Sequence, residues 1–348
     1  MNEQGQKRDN AKTCSGCLQT EESSSFTQPF MPRKTKKTNL TVLEICAGAG
    51  GQAVGLERAG FQCVAAVELD KHAVATLRLN RPKWKVIHGD VRVFDATAYK
   101  GVDLFAGGVP CPPFSKGGKQ LGADDERDLF PEALRLIKQC EPRAVLLENV
   151  AGFAQAKFDG YRASLFRKLK RLGYEASWRI VQASDLGVPQ LRPRVVITAL
   201  RKDDAARFLW KLPKIQAPTV GDCLVDLMAS RGWTGARAWA KKAAKIAPTL
   251  VGGSKKHGGA DLGPTRAKKQ WAELGVDGMG VANEAPGRDT PFDHRPKLTV
   301  RMAARIQGFP DDWQFTGKKT SEYRQIGNAF PPQVAEFVGR AIRKAMKG

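Results

Sequence analysis

The fold is decided by the stretch Leu43-Glu44-Ile45-Cys46-Ala47-Gly48-Ala49-Gly50-Gly51. An apolar strand pattern ends there in a glycine-rich turn and a helical pattern follows, which is how doubly wound proteins bring the backbone close to a nucleoside ligand. Glu68 closes the next predicted strand and can accept hydrogen bonds from ribose hydroxyls, while Asp90 follows the third and can face an adenine. Gln52 and Ala53 follow the glycines, so the spacing departs from GxGxxG. The loop alone leaves a dinucleotide and S-adenosylmethionine as alternatives.

Short apolar strands alternate with helical patterns on the carboxyl side of this loop. The predicted strands are Thr41–Cys46, Cys63–Val67, Val86–His88, Val102–Ala106, Ala144–Leu147 and Val195–Ala199. The predicted helices are Ala53–Ala59, Lys71–Leu79, Phe130–Gln139, Ser164–Leu172 and Val334–Met346. This alternation predicts the α/β class, with a doubly wound, mostly parallel sheet.

The sequence divides into four segments. Residues 1–40 are polar and charged without a hydrophobic period, which is typical of a disordered tail. Residues 41–200 form the predicted catalytic and cofactor-binding domain, and residues 201–297, rich in Gly, Pro, Lys and Arg, form a smaller irregular lobe. A sheet-type pattern returns near Leu298, and residues 298–348 rejoin the first domain. No second Cys or His pair lies near Cys14 and Cys17 to complete a tetrahedral zinc site, so no metal is expected.

Composition restricts the class of partner and the compartment. Lys plus Arg number 57 against 35 Asp plus Glu, and the net charge of +22 indicates a polyanion, with nucleic acid as the leading candidate and solubility as the alternative. No apolar run is long enough to span a membrane, and the polar first residues do not resemble a secretory signal. We therefore expect an intracellular protein, whose odd number of cysteines favours reduced thiols.

One cysteine stands apart from the others. The segment Gly107–Ser115 follows a predicted strand, and three prolines in it surround Cys111. Ligands of doubly wound sheets lie at the carboxyl ends of the strands. A buried apolar role is the default for cysteine, and Cys46, Cys63 and Cys140 fit that role better because they lie within strand or helix patterns. Cys111 is the candidate nucleophile.

Two further segments supply polar groups near strand ends. Glu148 follows an apolar run and is a candidate acid, with a surface glutamate as the alternative. Gln190, Arg192 and Arg194 alternate along an extended chain and share one side of it, and a solvated basic turn is the alternative here.

Taken together, these segments resemble the DNA (cytosine-5) methyltransferases. Six motifs occur in the family's order between about 41 and 346: the glycine loop 46–51, Val109-Pro110-Cys111 with Ser115, Glu148-Asn149-Val150, the set Gln190, Arg192 and Arg194, the stretch 295–310, and the stretch 323–332. Three positions depart from the family's usual residue, because Cys46 stands for a Phe, Pro112 for a Gln and Met302 for a Glu. None of them removes a residue that does the chemistry.

The resemblance implies a cofactor and a set of roles. It implies S-adenosylmethionine as the methyl donor and S-adenosylhomocysteine as the product. In the implied mechanism, Cys111 attacks cytosine C6 and Glu148 acts at N3. Arg194 and Arg192 position the base and the Glu148 carboxylate. The implied cofactor contacts are Cys46, Ala47, Gly48, Gly50, Gly51, Glu68, Leu69, Asp90, Val91, Pro110, Asn328 and Ala329. The implied DNA contacts are Ser115, Lys116, Gln190, Thr249, Leu250, Gly252, Gly253, Lys255 and Lys256. The segment Ser115–Arg127 is expected to close on a flipped base.

The resemblance also implies partners. Duplex DNA is the expected substrate, and the lobe at 201–297 is expected to read its sequence. The protein is expected to be a monomer in the cytoplasm, at the nucleoid, without a membrane partner. Whether a cognate restriction endonuclease acts separately is left open. One alternative is a tRNA cytosine-5 methyltransferase, which the length of this lobe disfavours. The other is a DNA-binding regulator that has lost catalysis, which the intact Cys111, Glu148 and Arg194 disfavour.

Overall fold

The computed structural model describes residues 40–110, 128–252 and 261–347. The sequence predictions for the tail and for Cys111, Ser115, Lys116, the segment Ser115–Arg127, Gly253, Lys255 and Lys256 lie outside the described residues.

A seven-stranded sheet forms the centre of the molecule. Its strands are β1 (Leu40–Ile45), β2 (Phe61–Glu68), β3 (Val86–His88), β4 (Leu104–Gly108), β5 (Ala144–Val150), β6 (Tyr174–Gln182) and β7 (Pro193–Arg201). Their order across the sheet is β3-β2-β1-β4-β5-β7-β6. The first five are parallel, and β7 runs antiparallel to β5 and β6. The carboxyl ends of five strands therefore meet at one edge of the sheet, where α/β proteins bind ligands.

Helices connect and flank the strands. They are α1 (Gly51–Arg58), α2 (Lys71–Asn80), α3 (Phe130–Cys140), α4 (Asp159–Arg171), α5 (Lys202–Arg207), α6 (Val220–Ala229), α7 (Ala236–Lys242), α8 (Thr265–Glu273), α9 (Val300–Gln307), α10 (Lys319–Asn328) and α11 (Pro332–Lys347). Within the described ranges, no helix is both long and apolar enough to cross a membrane.

Both faces of the sheet are covered. Alternate residues of β1 point to opposite faces, so Val42 belongs to the core under α1, α2 and α11, while Leu43 and Ile45 belong to the core under α3 and α4. Because both faces are buried, the parallel strands are mostly apolar. The predicted doubly wound, mostly parallel sheet is confirmed.

Two sequence predictions differ from the structure. Strand β6 was not predicted, because it is an edge strand with many exposed or half-buried polar positions. The sheet-type pattern near Leu298 is a wrong prediction, since Thr299 begins a helix there: its side chain accepts a hydrogen bond from the backbone N–H of Met302 at 3.2 Å. The other predicted elements agree with the structure to within a few residues at their ends, and the largest difference is the start of α4.

The segment between β7 and α9 holds four short helices, α5 to α8, joined by irregular chain. Two of its tryptophans, Trp239 and Trp271, are buried in the core that also contains α11. The boundaries 201 and 297 for a separate recognition domain remain a prediction.

Candidate active site

A cavity of about 680 Å³ opens at the carboxyl edge of the parallel strands. It is lined from the ends of β1, β2 and β4, from the residues that follow β3, and from α10. All predicted cofactor residues line it except Gly50. The topology therefore brings together residues that are far apart in the sequence.

The glycine loop has two distinct tasks. A Cβ on Gly48, whose φ is +55°, would meet no atom within 4 Å, so this position stays open toward the cavity. A Cβ on Gly51 would lie 2.3 Å from the carbonyl oxygen of Phe330, so this glycine is required by packing against the C-terminal part of the chain. Gly50, at φ +90°, caps α1 under Trp313 and is not a cavity residue, which corrects its predicted role.

Glu68 fixes the shape of the loop. One carboxylate oxygen accepts a hydrogen bond from the backbone N–H of Gly48 at 2.7 Å, and the other accepts from Leu69 at 2.8 Å and Asp70 at 2.7 Å. Each oxygen has two lone pairs, so the first can also accept from a ligand hydroxyl. Glu68 is thus placed as the sequence predicted, at the end of β2 and in the cavity wall.

Asp90 lies on the neighbouring wall as an ionised group. Its carboxylate accepts from the backbone N–H of Arg92 at 2.9 Å and pairs with the Arg92 guanidinium at 2.9 Å. The backbone hydrogen bond first, and then the side chain of Arg92, hold the pKa of Asp90 below its ordinary value. The carboxylate can accept further hydrogen bonds from an exocyclic amine at neutral pH.

Glu44 is a cavity residue that the sequence analysis missed. It lies in β1 with no exposed surface, and neither of its carboxylate oxygens has a hydrogen-bond partner among the described residues. Burial, and then the charge of Glu68, raise the pKa of Glu44 well above its ordinary value. Such a group is expensive to bury unless a ligand or a proton satisfies it. The β1 pattern predicts its burial but not this lack of partners.

One face of α10 was also missed. Ser321, Arg324 and Asn328 line the cavity at spacings of three and four residues, so they lie on one side of the helix. Only Asn328 and the following Ala329 were predicted. The helical spacing from Asn328 back to Arg324 is a signal that could have identified the others.

Glu148 and Arg194 form a buried pair at the end of β5. The Nε of Arg194 lies 2.7 Å from a carboxylate oxygen of Glu148, and the side chains are only 11% and 12% exposed. Burial raises the pKa of Glu148 above its ordinary value, and the charges of Arg194 and Arg192 limit that rise. Glu148 also lines the cavity, so it is an acid suited to donating a proton to a ligand there.

Hydrogen bonds fix the backbone next to this pair. The side-chain amide of Asn149 donates to the carbonyl oxygen of Val109 at 2.8 Å, and the N–H of Leu129 donates to the carbonyl oxygen of Pro110 at 3.3 Å. Asn149 is buried, and Pro110 and Leu129 line the cavity. Cys111 is outside the described residues, but it is joined to Pro110 by a peptide bond. The chain therefore enters the Cys111 segment at the cavity wall.

The four described cysteines are free thiols without nucleophilic character. Burial, ahead of other causes, raises the pKa of Cys46, Cys140 and Cys223 to about 12, and it raises that of Cys63 as well. A thiol with such a pKa stays protonated at neutral pH, and the thiolate is the reactive form. For Cys46, Cys63 and Cys140 this agrees with the prediction that they are apolar packing positions.

Arg192 and Gln190 form a buried cluster instead of contacting ligands. The Arg192 guanidinium donates to the carbonyl oxygens of Leu250 at 2.7 Å, Gly327 at 2.6 Å and Ala329 at 3.0 Å. The Gln190 amide donates to the side-chain oxygen of Gln307 at 2.8 Å and accepts from Leu250 N–H at 2.8 Å. Both side chains have no exposed surface. Arg192 therefore makes no bond to Glu148, and Gln190 has no face left for DNA, which corrects both predictions.

The segment Thr249–Gly252 is held against α10. The hydroxyl of Thr249 donates to the carbonyl oxygen of Leu191 at 2.5 Å, and Leu250 is 1% exposed. A Cβ on Gly252 would lie 2.5 Å from the side-chain oxygen of Asn328, and a Cβ on Gly327 would lie 2.4 Å from the Gly252 nitrogen. Leu250 and Gly252 are thus packing residues and not the predicted DNA contacts. Thr249 is half-buried and keeps one exposed side.

The fold and the cavity together define a class of enzyme. A doubly wound sheet with the order β3-β2-β1-β4-β5-β7-β6, a glycine loop flanked by Glu68 and Asp90, and a buried acid at the same strand edge are those of a Rossmann-like methyltransferase.

Comparisons with known proteins identify the family. A family model described as C-5 cytosine-specific DNA methylase matches residues 40–344. The Type II methyltransferase M.NaeI of Lentzea aerocolonigenes is 59% identical over 312 residues, which are 88% of this chain and 76% of that protein. The Type II methyltransferase M.NgoMIV of Neisseria gonorrhoeae is 56% identical over 311 residues, 88% of this chain and 98% of that protein.

Solved structures agree with this result. A candidate DNA modification methyltransferase encoded within an E. coli prophage has a TM-score of 0.64 at 26% identity, covering 89% of this chain and 100% of that one. A mutant of Spodoptera frugiperda DNMT2 has a TM-score of 0.62 at 18% identity, covering 87% and 99%, and shares the fold alone. The chain belongs to the C-5 cytosine-specific DNA methylase family and is a DNA (cytosine-5) methyltransferase.

Proposed function

We propose that this protein transfers a methyl group from S-adenosylmethionine to C5 of a flipped cytosine in a specific duplex DNA sequence, through a covalent bond between Cys111 and C6. The observation that carries the proposal is the buried Glu148–Arg194 pair in the cavity wall, beside the strand end that continues into Cys111. A buried acid next to a nucleophile suits addition to a pyrimidine ring.

The cavity residues fit the proposed cofactor. Glu68 and Asp90 offer acceptors for ribose hydroxyls and an adenine amine, and the open side of Gly48 allows close approach of the backbone. Glu44 supplies a buried carboxylate without a partner among the described residues, which the ammonium of an amino-acid moiety would satisfy. When bound, S-adenosylmethionine supplies an electrophilic methyl group on its sulfonium. Cys46 stands where much of the family has a Phe, so neither Cys46 nor the nearby Leu69 would give the adenine ring the aromatic contact of that Phe.

The side chains solve the problem that cytosine C5 is a poor nucleophile. The Cys111 thiolate would form an Sγ–C6 bond, and the electron pair of the C5=C6 bond would move toward C5 while Glu148 gives a proton to N3. Arg194 would hold the Glu148 carboxyl in place and stabilise the negative charge of the carboxylate that remains after proton transfer. Once C5 carries the methyl group, loss of the C5 proton to a base and departure of the Cys111 thiolate restore the ring. Glu148 recovers its proton from N3.

Several features of the DNA side belong to the same proposal. The base must leave the duplex to reach the cavity, at a cost of a few kcal/mol. Thr249 and the predicted residues Ser115, Lys116, Gly253, Lys255 and Lys256 would contact the DNA around it, and the lobe at 201–297 would read the sequence. The protein would act as a monomer at the nucleoid in the cytoplasm. The names of its Type II relatives suggest a restriction-modification system, in which a cognate endonuclease would act separately.

Replacement of Cys111 tests the proposal most directly. Cys111→Ser should abolish methyl transfer from radiolabelled S-adenosylmethionine to duplex DNA and covalent trapping on DNA containing 5-fluorocytosine. Cys140→Ser, which removes a buried thiol remote from the cavity, is the control and should keep both. Full activity of Cys111→Ser would refute the covalent mechanism. Methylation of tRNA but not duplex DNA by the native chain would favour the tRNA alternative, and DNA binding without any transfer would favour the regulator.

A further inference from the structure

A second concave surface carries a concentrated positive charge. This groove, of about 770 Å³, is lined by six cationic side chains and, among the described residues, by no carboxylate. The cations are Arg58, Arg207, Arg340, Arg343, Lys344 and Lys347. We call this surface the basic groove.

The basic groove lies at the amino edge of the parallel strands. Helix α1 starts at the cavity and ends at Arg58, and α11 runs beside it in the same direction, with Pro332 near Gly55 and Gly339 near Ala59. The last turn of α11 reaches Arg143, which directly precedes β5 and donates to the carbonyl oxygen of Met346 at 2.9 Å. At 1.5 Å per residue, the groove residues Arg340 to Lys347 lie roughly 12–22 Å along α11 from Pro332, and Arg58 lies roughly 9 Å along α1 from the cavity residue Gln52.

Half of these cations have internal partners. Arg207 bonds Asp204 and the carbonyl oxygen of Ala345, Arg343 bonds the carbonyl oxygen of Ala59, and Arg340 pairs with Glu336. Arg58, Lys344 and Lys347 are exposed, and within residues 40–110, 128–252 and 261–347 they have neither a hydrogen bond nor an ion pair. These three side chains are available to a ligand.

Helix ends explain a part of this arrangement. A cation in the last turn of a helix interacts favourably with the backbone carbonyls there, by about 0.3–1 kcal/mol. Helix α4 has the same feature in Lys168, Lys170 and Arg171, which are not among the residues that line the basic groove. The convergence of α1, α5 and α11 on one groove is different, because it places like charges together, where they repel one another. A polyanion in the groove would relieve that repulsion.

We propose that the basic groove binds the phosphate backbone of a duplex DNA segment other than the one at the active site. One of the three available cations, Arg58, is an arginine, whose planar guanidinium binds phosphate oxygens through two hydrogen bonds, and Lys344 and Lys347 add two point charges beside it. The surface is concave, which suits a rod-shaped backbone better than a flat lipid surface. Because the two sites lie at opposite edges of the sheet, both can hold DNA at once, and long DNA would bind more tightly through the double attachment.

Two triple variants test the proposal. The groove variant carries Arg58→Gln, Lys344→Gln and Lys347→Gln, and the control variant carries Lys168→Gln, Lys170→Gln and Arg171→Gln. Both remove one arginine and two lysines from helix ends, so they change the net charge and the helix-end interactions alike. Each is made in the full chain, and its thermal unfolding midpoint is compared with that of the native chain.

Binding of a long non-specific duplex is then measured against salt concentration. Each lost phosphate contact lowers the slope of log K against log salt by about 0.9, so the groove variant should lose about two to three in slope and the control variant nothing. With a short duplex at low salt, the native chain and the control variant should bind two copies and the groove variant one.

Equal slopes and equal stoichiometry in the two variants would overturn the proposal. So would unchanged DNA binding together with lost binding to phosphatidylglycerol vesicles, which would assign the groove to a lipid surface. Methyl transfer to short duplexes is measured in parallel and should be the same in all three proteins. Failure of this proposal would appear as an unchanged salt slope in the groove variant, whereas failure of the Cys111 mechanism would appear as methyl transfer retained in Cys111→Ser. The two failures are therefore distinguishable.

Discussion

Arg192 and Arg194 are two residues apart at the start of β7, yet their surroundings differ. Arg194 is buried and pairs with one carboxylate, that of Glu148, which lines the cavity. Arg192 faces the interior and donates to three backbone carbonyls that belong to the segment before Val251 and to the end of α10. Two arginines of one motif therefore have different roles. Arg194 places a positive charge beside the Glu148 carboxylate, and Arg192 joins neighbouring segments of the chain through hydrogen bonds.

The difference follows from what lies beside each arginine, because side chains two residues apart share one side of an extended chain. Glu148 and Val196 are paired neighbours on β5 and β7, so Arg194 reaches the end of β5. Arg192 precedes the strand and meets the carbonyl oxygens of Leu250, Gly327 and Ala329. Loss of either arginine should therefore be harmful, but the two losses should be visible in different measurements.

The largest effect is expected for a change at Glu148, the partner of Arg194. Glu148→Gln removes the proton donor while keeping the size of the side chain, so kcat should fall by about 10²–10⁴-fold, the usual contribution of general acid catalysis. The control is Glu175→Gln, at an exposed position of the edge strand β6. Steady-state methyl transfer measures the effect. A loss of less than about tenfold would remove Glu148 from the mechanism.

The next effect concerns Arg192 and the stability of the folded chain. Arg192→Lys keeps the positive charge but cannot form the three-carbonyl contact, so the free energy of unfolding should fall by about 1.5–3 kcal/mol for each hydrogen bond lost. Urea denaturation measures it, and Arg167→Lys, at an exposed position of α4, is the control. If Arg192→Lys had the same urea midpoint of unfolding as the native chain but lost activity, Arg192 would act at the active site as Arg194 does, and the structural assignment would be wrong.

A pH profile separates the two arginines further. In the proposed mechanism, activity requires protonated Glu148 and is lost as pH rises through the pKa of this group. Arg194 holds that pKa down more than Arg192 does, so Arg194→Gln should move the alkaline limb of kcat to higher pH, on a lower maximum. In Arg192→Lys the limb should stay near its native position because the charge remains. A limb that moves equally in both variants would contradict the assignment of Arg194 as the partner.

The smallest effect is expected at Glu44, which has neither arginine as a partner. Because burial raises its native pKa, the folded chain binds this proton more tightly than the unfolded chain does. The free energy of unfolding should therefore fall as pH rises from the ordinary glutamate value of about 4.3 through the native pKa. Glu44→Gln should lack this decline when urea denaturation is followed against pH without cofactor. Parallel curves for native and variant chains would show that Glu44 is satisfied in solution.

The sequence allowed prediction of whatever depends on neighbours along the chain. The β1 strand, the glycine turn and α1 follow from a local apolar run and local glycines, and Glu68 and Asp90 follow from their places after strands. The Leu298 region was misread because Thr299 and Val300 are β-branched and favour strands. A side-chain cap reverses that preference, although the third helical residue is Met302 instead of the usual Glu.

What could not be predicted depends on partners distant in the sequence. The role of Arg192 rests on Leu250, Gly327 and Ala329, and that of Gln190 rests on Gln307. Alternation correctly placed the two side chains together, but it carries no information on which surface covers them. The packing role of Gly252 likewise depends on Asn328.

The contact between Gly252 and Gly327 has a consequence for engineering. The backbone at Gly252, inside the segment 201–297 that is proposed to read the DNA, meets the backbone of α10, the helix that lines the cavity, with no side chain between them. A chimaera that receives a foreign recognition lobe must therefore bring in a glycine at the first position or retain the resident one. It must also keep Arg192, whose guanidinium joins the same two segments. Suitable graft boundaries lie beyond residue 252 on the amino side and before α9 on the carboxyl side.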